Sequence, residues 1–204
     1  MNLINSLIKD GWLKTPEIIE AFKKIKREDF LPEDKKDLAE LNEALPIGFG
    51  QTISQPLVVA FMLELLQPKK GDKILDVGFG SGWTSALLAE IVGKNGRVIA
   101  VEIAPELKKI GEKNAENYNK EKNAEFILGD GAEGFKKEAP YDKILASASI
   151  ITGTIPKAWK NQLKAGGRIV CPIENSIWLF VKKSENDFEV KEYPGFVFVP
   201  LIQK

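Results

Sequence analysis

The chain has 204 residues, with 29 basic and 29 acidic side chains, a formal net charge of zero and 44% hydrophobic residues. A chain of this length buries most of its apolar surface around one core, so we expect a single domain. Acidic and basic residues are interleaved, and no basic stripe of the kind that neutralises phosphates is visible. We therefore expect no nucleic-acid partner.

Histidine is absent, and Cys171 is the only cysteine. These counts exclude a disulfide within the chain, a Cys/His zinc site and a thiol-protease centre, so we predict no metal site. Cys171 lies in the apolar run RIVCPI and is expected to be a small buried hydrophobe. No apolar stretch reaches the roughly 20 residues of a membrane span, and the N-terminus lacks a signal peptide's apolar core. The sequence predicts a soluble, cytoplasmic protein.

Helices dominate the first 70 residues, which we expect to precede a cofactor-binding core at 71–204. Helices are predicted at 2–10, 16–29 and 56–66, with an irregular stretch before the last one. Thr15 is a plausible N-cap of the second helix, because Pro16 suits the first helical position.

From Lys73 onward, short β-branched runs alternate with helical stretches, which is typical of a parallel sheet with crossover helices. The last two apolar runs, IWLFVKK and FVFVPL, are joined by a segment too short and polar for a crossover helix, so we predict an antiparallel hairpin there. The fold class is therefore α/β, with a Rossmann-like doubly wound sheet. The parallel strands are KILDV, RVIAVE, AEFILGD, DKILASA and GRIVCPI, with helices near 83–92, 105–118 and 156–164.

The segment ILDVGFGSG, residues 74–82, is a candidate ligand-binding turn at the end of a strand. Its glycines, Gly78, Gly80 and Gly82, allow a tight turn, close approach of a ligand to the backbone and close packing of the next helix. The same glycines are also explained as a simple strand-to-helix turn.

Two carboxylates accompany this turn. Asp76 lies two residues before Gly78, and Glu102 ends the next predicted strand. At that spacing a carboxylate can accept hydrogen bonds from ribose hydroxyls, although acidic residues also end strands as solvated tips. Dinucleotide enzymes need the pattern G-x-G-x-x-G, whereas here the third glycine comes one residue early and Trp83 follows it. The pattern resembles class I methyltransferases, whose cofactor S-adenosylmethionine has no phosphate.

Later segments agree with this interpretation. GDGAEGF places Asp130 and Gly131 just past a predicted strand, where they would meet the adenine, and QLKAGGRIV resembles the helix-Gly-Gly-strand join of the same fold. Asp-Gly is also an ordinary turn and Gly-Gly an ordinary helix stop.

The segment PIGFGQTISQPLVVAFMLELL (46–66), together with GDGAEGF and APYDKI (139–144), resembles the protein-L-isoaspartyl (D-aspartyl) O-methyltransferase family, and the similarity extends over nearly the whole chain. GQTISQP is its specific part. The resemblance implies that this loop covers the active site, with Ser54 acting there and Thr52 and Ile53 contacting the cofactor. The implied activity is methylation of isoaspartyl α-carboxylates in peptides and proteins, with S-adenosylhomocysteine as the product, and we expect a monomer.

This chemistry suits a chain without histidine, because a carboxylate with a pKa near 4 is ionised at pH 7 and needs no base. The enzyme would place the carboxylate in line with the methyl group and exclude water. Ser54 would orient the acceptor. Alternatively, Ser54 or Gln55 caps the helix that opens at Pro56.

We accordingly predict three groups of site residues. The catalytic residue is Ser54. The acceptor contacts are Gln51, Gln55 and Ser149. The cofactor contacts are Thr52, Ile53, Asp76, Gly78, Gly80, Ser81, Gly82, Glu102, Ile103, Asp130 and Gly131.

The resemblance weakens in three places. The stretch ASASIITGTIP (146–156) has Ser149 where a small apolar residue is expected, residues 172–175 depart from the family's Pro-Val-Gly, and Glu40 and Asn42 replace an aromatic and acidic pair. Loops after strands lie at the edge where substrate binds in such folds, so we expect altered acceptor tolerance. The alternatives are a methyltransferase for RNA or a small molecule, a cofactor-binding module without activity and, with less support, an NAD oxidoreductase.

Overall fold

A computed structural model describes residues 3–203. Short 3-10 helices cover Arg27–Phe30, Glu33–Leu38, Gly131–Glu133 and Lys136–Glu138. The α-helices are α1 (Leu3–Lys9), α2 (Pro16–Lys24), α3 (Pro56–Leu66), α4 (Trp83–Val92), α5 (Pro105–Glu116) and α6 (Lys157–Gln162). The strands are β1 (Leu45–Gly48), β2 (Gln51–Ile53), β3 (Lys73–Val77), β4 (Arg97–Glu102), β5 (Ala124–Leu128), β6 (Tyr141–Ala146), β7 (Leu163–Ile173), β8 (Ser176–Lys182) and β9 (Phe188–Pro194).

Seven strands form one sheet in the order β5-β4-β3-β6-β7-β8-β9. The first five in this order are parallel, whereas β8 and β9 run antiparallel to their neighbours. From β3 the chain continues to β4 and β5 on one side, and then to β6 and β7 on the other side. The strand order therefore reverses between β3 and β6, and ligands bind at such a point in open α/β sheets. The predicted class, a doubly wound α/β sheet with a C-terminal antiparallel hairpin, is confirmed.

Two hydrophobic clusters cover the two faces of the sheet. Ile74 of β3 belongs to the cluster that includes α1 to α5, and Leu75 belongs to the cluster on the side of α6. The central parallel strands are buried on both faces and are therefore nearly continuous apolar runs. Helix α4 is buried almost all round, since it lies between the sheet and α2, where the rings of Phe22 and Trp83 meet edge to face at 5.5 Å.

The second strand of the terminal hairpin was predicted in the wrong place. The sequence pattern favoured 196–201, but the strand is Phe188–Pro194, and 196–199 has no regular structure. The pattern misleads because β9 is an edge strand whose charged side chains face solvent, so it looks like a polar connector. The strand ends where Gly195 adopts a positive φ of 97°.

Helix α2 is shorter than the predicted 16–29. It ends at Lys24 because Ile25 and Lys26 are extended, and Arg27 then begins a 3-10 helix. The predicted helices 105–118 and 156–164 also end earlier, and the predicted start of the first helix at residue 2 lies outside the described residues. No helix within 3–203 is long and apolar enough to cross a membrane.

The turn between α1 and α2 is fixed to α3 by Glu64. Its carboxylate accepts hydrogen bonds from the backbone N–H groups of Lys14 and Thr15, both at 2.8 Å, and from the Thr15 hydroxyl at 2.7 Å. The Thr15 side chain therefore bonds to Glu64 and forms no cap of α2, although Pro16 begins that helix as predicted.

Candidate active site

The glycine-rich turn connects β3 to α4 in a left-handed backbone conformation. Gly78, Gly80 and Gly82 have φ angles of 72°, 51° and 88°, values that side-chain-bearing residues rarely adopt. Gly82 has a second constraint, since a Cβ atom there would lie 2.3 Å from the carbonyl oxygen of Gly111 on α5. The third glycine therefore serves close packing of two helices.

Glu102, at the end of β4, holds the turn through its carboxylate. Oε2 accepts the Gly80 N–H at 3.0 Å, while Oε1 accepts the N–H groups of Ile103 at 2.9 Å and Ala104 at 3.1 Å. The side chain is buried but still lines the adjacent cleft. Oε1 thus has both lone pairs occupied, and Oε2 retains one for a ligand hydroxyl.

Asp76, on β3 beneath the turn, is completely buried. Oδ2 accepts a 2.6 Å hydrogen bond from the Ser85 hydroxyl, and Oδ1 has no partner among residues 3–203. Burial raises the pKa of Asp76 to about 7; the Ser85 hydrogen bond opposes this rise and the charge of Glu102 adds to it. An unpartnered buried carboxylate oxygen favours a neighbouring ligand with positive charge.

A cleft opens above the turn and encloses about 850 Å³, open solvent at its mouth included. The glycine turn forms its floor and the β1–β2 hairpin one wall. At the hairpin tip, Phe49 is 59% exposed and has a φ of 56°. The segment 199–202 forms the opposite wall.

A second cavity, the acceptor groove, adjoins this cofactor cleft and encloses about 840 Å³. Its lining within 3–203 contains no charged side chain. Its walls are Ala44, Gln55, Val58 and residues 195–199. The two cavities share Thr52, Ser54, Ser147 and Val199.

Three hydroxyls stand at this junction, on Thr52, Ser54 and Ser147. None of them forms a hydrogen bond within the described part of the chain, so all three are free to bind a ligand. Neither Ser54 nor Gln55 caps α3 with its side chain. That role belongs to Asn42, whose Oδ1 accepts the Leu57 N–H at 3.0 Å.

Most of the predicted site residues come together around the two cavities. Gln55 lines only the acceptor groove, and Asp76, Gly82, Asp130 and Ser149 line neither cavity. Those that line the cofactor cleft are Gln51, Thr52, Ile53, Ser54, Gly78, Gly80, Ser81, Glu102, Ile103 and Gly131.

Asp130 and Ser149 support the site from behind. The Asp130 carboxylate accepts the Ala132 N–H at 2.9 Å and begins the short 3-10 helix that follows β5. Ser149 is buried; its hydroxyl donates to the Glu174 carbonyl at 3.0 Å, and its N–H donates to the Val199 carbonyl at 2.8 Å.

Sequence reasoning missed the C-terminal wall, Phe49, Ser147 and Arg27. Ser147 has a detectable signal, because it directly follows the apolar strand β6 at the edge where ligands bind. The C-terminal wall was mistaken for a strand. The contacts of Arg27 are to backbone carbonyls, which have no sequence signature.

The site fits S-adenosylmethionine better than a phosphate-containing cofactor. Among residues 3–203, no Lys or Arg lines the cleft, and Glu102 offers an acceptor for a ribose hydroxyl. No group of metal-binding side chains was found among residues 3–203. The sheet and the cleft together define the class, a class I methyltransferase.

Comparisons with known proteins identify the family. The family model of protein-L-isoaspartate(D-aspartate) O-methyltransferase matches residues 1–204. A protein-L-isoaspartate O-methyltransferase of Methanopyrus kandleri is 40% identical over 204 residues, which cover 98% of this chain and 89% of that protein. Protein-L-isoaspartate O-methyltransferase 2 of Archaeoglobus fulgidus is 44% identical over 190 residues, covering 91% of this chain and 84% of that protein.

Solved structures agree. A protein-L-isoaspartate O-methyltransferase superposes with a TM-score of 0.88 at 30% identity, covering 97% of this chain and 64% of its own. A Plasmodium falciparum protein has the same fold, with a TM-score of 0.87 at 22% identity over the full length of both chains. The chain belongs to the protein-L-isoaspartate(D-aspartate) O-methyltransferase family.

Proposed function

We propose that the chain transfers a methyl group from S-adenosylmethionine to the α-carboxylate of L-isoaspartyl residues in damaged proteins and peptides. The observation that supports this most directly is the meeting of the cleft above the glycine turn with an uncharged groove at the free hydroxyls of Thr52, Ser54 and Ser147. Donor and acceptor would meet at that junction.

On the donor side, the glycine turn and Glu102 hold the cofactor. When bound, S-adenosylmethionine supplies an electrophilic methyl group on a sulfonium. Glu102 would accept a hydrogen bond from a ribose hydroxyl, and Gly131 would offer its backbone beside the adenine. Asp76, with its pKa raised to about 7, would add negative charge beneath the turn only where it is ionised. Ile53 and Ile103 line the cleft and would help to exclude water from the reacting atoms.

On the acceptor side, no base is required, because the acceptor is already an anion at neutral pH. Within residues 3–203, the groove lining has no lysine or arginine that would pair with the carboxylate and lower its nucleophilicity. The Ser54 hydroxyl orients the carboxylate by donating a hydrogen bond, and Ser147 and Thr52 stand close enough to the same junction to assist. No proton transfer to the protein takes place in this step.

The groove suits an extended peptide. Along one wall, the backbone N–H and carbonyl groups of Val197 and Phe198 form no hydrogen bond within 3–203, and Val197 is 84% exposed. An extended acceptor can pair with such a free backbone edge and place flanking apolar side chains on Val58 and Phe196. This edge favours a peptide acceptor over a compact small molecule.

We further propose that the protein acts as a cytoplasmic monomer without a nucleic-acid partner. The support is the interleaved charge of the sequence and the absence of charged side chains from the groove lining among the described residues. Sedimentation at micromolar concentration tests the oligomeric state.

Paired peptides test the activity. Two peptides of identical sequence, one with L-isoaspartate and one with L-aspartate, are incubated with the protein and methyl-labelled cofactor. We expect a base-labile methyl ester only on the isoaspartyl peptide. Equal labelling of both peptides would indicate a different acceptor, and labelling of added RNA or of neither peptide would overturn the proposal.

A further inference from the structure

Arg27 lies outside both cavities, yet it contacts both ends of the segment that contains Ser54. This acceptor segment, residues 39–54, includes the β1–β2 hairpin. The guanidinium is part of a side chain only 6% exposed, and its two terminal nitrogens donate to four backbone carbonyls. Nη1 donates to Ala39 at 3.1 Å and Leu41 at 3.0 Å, and Nη2 donates to Glu43 at 2.7 Å and Ser54 at 3.3 Å.

These bonds close the base of the hairpin. Ala39, Leu41 and Glu43 lie in the irregular segment that leads into it, while Ser54 directly follows its last residue. A single side chain therefore bonds to both the incoming and the outgoing chain. Because the Ser54 carbonyl is one of the four acceptors, the backbone of Ser54 is held directly.

Burial of a cation costs desolvation free energy, which its hydrogen bonds must offset. Within 3–203, Arg27 forms no ion pair with a carboxylate, and burial lowers its pKa to about 10, so it is still protonated at neutral pH. Only three of the 29 basic residues in the chain are arginines. Lysine has three donors on one atom and cannot reach four carbonyls in a planar fork.

The other face of the guanidinium contacts the cofactor side of the molecule. Its central carbon lies 5.5 Å from the ring centroid of Trp83, within the range of a cation–π contact. Trp83 is the first residue of α4 and directly follows Gly82. Arg27 thus lies between the acceptor segment and the helix that leaves the glycine turn.

We propose that Arg27 is a positioning residue that fixes the acceptor segment against the cofactor helix and so holds Ser54 in line with the methyl donor. This inference rests on the proposed function. Displacement of reacting groups by about 1 Å can reduce a rate by about a hundredfold, so a looser segment impairs acceptor use while the cofactor turn, which has its own contacts to Glu102, still binds.

The variants are Arg27→Lys and Arg27→Met, with Arg168→Lys as the matched control. Arg168 also donates from Nη1 to a backbone carbonyl, that of Leu65 at 2.8 Å, but lies on β7 away from both cavities. Amide hydrogen exchange is followed segment by segment, together with kcat and KM for an isoaspartyl peptide and the affinity for S-adenosylhomocysteine.

We expect exchange in 39–54 to be at least about tenfold faster in both Arg27 variants, with β3 and β4 unchanged. The kcat/KM for the peptide falls at least about tenfold, with a loss in kcat, and the affinity for S-adenosylhomocysteine changes less than about threefold. The changes in exchange and in kcat/KM are both smaller in Arg27→Lys than in Arg27→Met, because lysine retains the charge and some of the hydrogen-bond donors. Arg168→Lys resembles the wild type in all three measurements.

Several results would overturn the inference. One is uniform acceleration of exchange over the whole chain, which indicates a purely structural role, and another is an unchanged kcat/KM in a folded Arg27→Lys protein. If Arg27→Met does not fold, Arg27→Lys decides, and failure of both to fold also counts against positioning. If the wild type forms no isoaspartyl ester, the proposed function fails, and the exchange comparison alone then decides the role of Arg27.

Discussion

The cofactor cleft and the acceptor groove meet at Ser54 but are built in different ways. The cleft is formed at the ends of buried parallel strands, where glycines and two carboxylates determine the shape of the backbone. The groove is formed by a hairpin and an irregular C-terminal segment, and its order depends on contacts made behind it by Arg27, Asn42 and Ser149. The proposed donor site is thus built from the core of the domain, whereas the proposed acceptor site is built from loops that hydrogen bonds restrain.

The buried carboxylate under the turn provides the largest expected effect. Because burial raises the pKa of Asp76 to about 7, the folded state holds a proton that the unfolded chain releases near pH 3.8. Its contribution to stability is therefore present below pH 3.8 and is lost as the pH rises to 7. The unfolding free energy of Asp76→Asn, relative to that of the wild type, should therefore increase by about 4 kcal/mol between pH 3.8 and 7.

Urea unfolding at several pH values measures this difference, with Asp187→Asn, on an exposed loop, as the control. If the unfolding free energies of the wild type and Asp76→Asn change in parallel between pH 4 and 8, burial does not raise the pKa of Asp76.

Two glycine substitutions compare the rigidity of the two regions. Gly82→Ala introduces a Cβ atom 2.3 Å from a backbone oxygen as well as a strained φ, whereas Gly50→Ala in the hairpin meets nothing within 4 Å and only the strain applies. We expect losses of about 3 and about 1 kcal/mol of unfolding free energy, measured by urea denaturation. Equal losses would remove the distinction between a packed turn and an open loop.

Glu102→Gln tests the donor side alone. It removes the charge that holds Gly80, Ile103 and Ala104 and would hold the ribose, so S-adenosylhomocysteine should bind about thirtyfold more weakly by calorimetry. The exposed neighbour Glu106→Gln is the control. Unchanged affinity would place the ribose elsewhere.

Ser54→Ala tests the acceptor side with the smallest expected change. Loss of one hydrogen bond to the carboxylate should lower kcat/KM for an isoaspartyl peptide about tenfold and leave S-adenosylhomocysteine binding unaffected. Ser149→Ala is the comparison, because its hydroxyl is buried and bonded to Glu174. If both variants lose activity equally, Ser54 has no special relation to the acceptor.

The donor side was largely predictable from sequence, because its signals are local. Gly78, Gly80 and Gly82 follow a strand within five residues, and Glu102 ends the next strand, so their meeting follows from the alternation of strands and helices. The parallel register brings them together without further information.

The acceptor side was predictable only through family resemblance at Ser54. Arg27 reaches backbone carbonyls, and the C-terminal wall looked like a strand because its apolar residues line a groove. Two segments that depart from the family pattern bind each other, since Ser149 donates to the Glu174 carbonyl and Glu174 donates its N–H to the Ile150 carbonyl at 3.2 Å. The two segments lie behind the wall of the acceptor groove, and no local sequence pattern indicates this position.

The most direct test of the account is a crystal structure with S-adenosylhomocysteine and an isoaspartyl peptide. We predict the cofactor product over Gly78 and Gly80 with its ribose on Glu102, the peptide extended along Val197 and Phe198, and a carboxylate oxygen within hydrogen-bonding distance of the Ser54 hydroxyl, facing the sulfur. A peptide bound outside the acceptor groove, or a carboxylate held by a lysine or arginine away from Ser54, would contradict it.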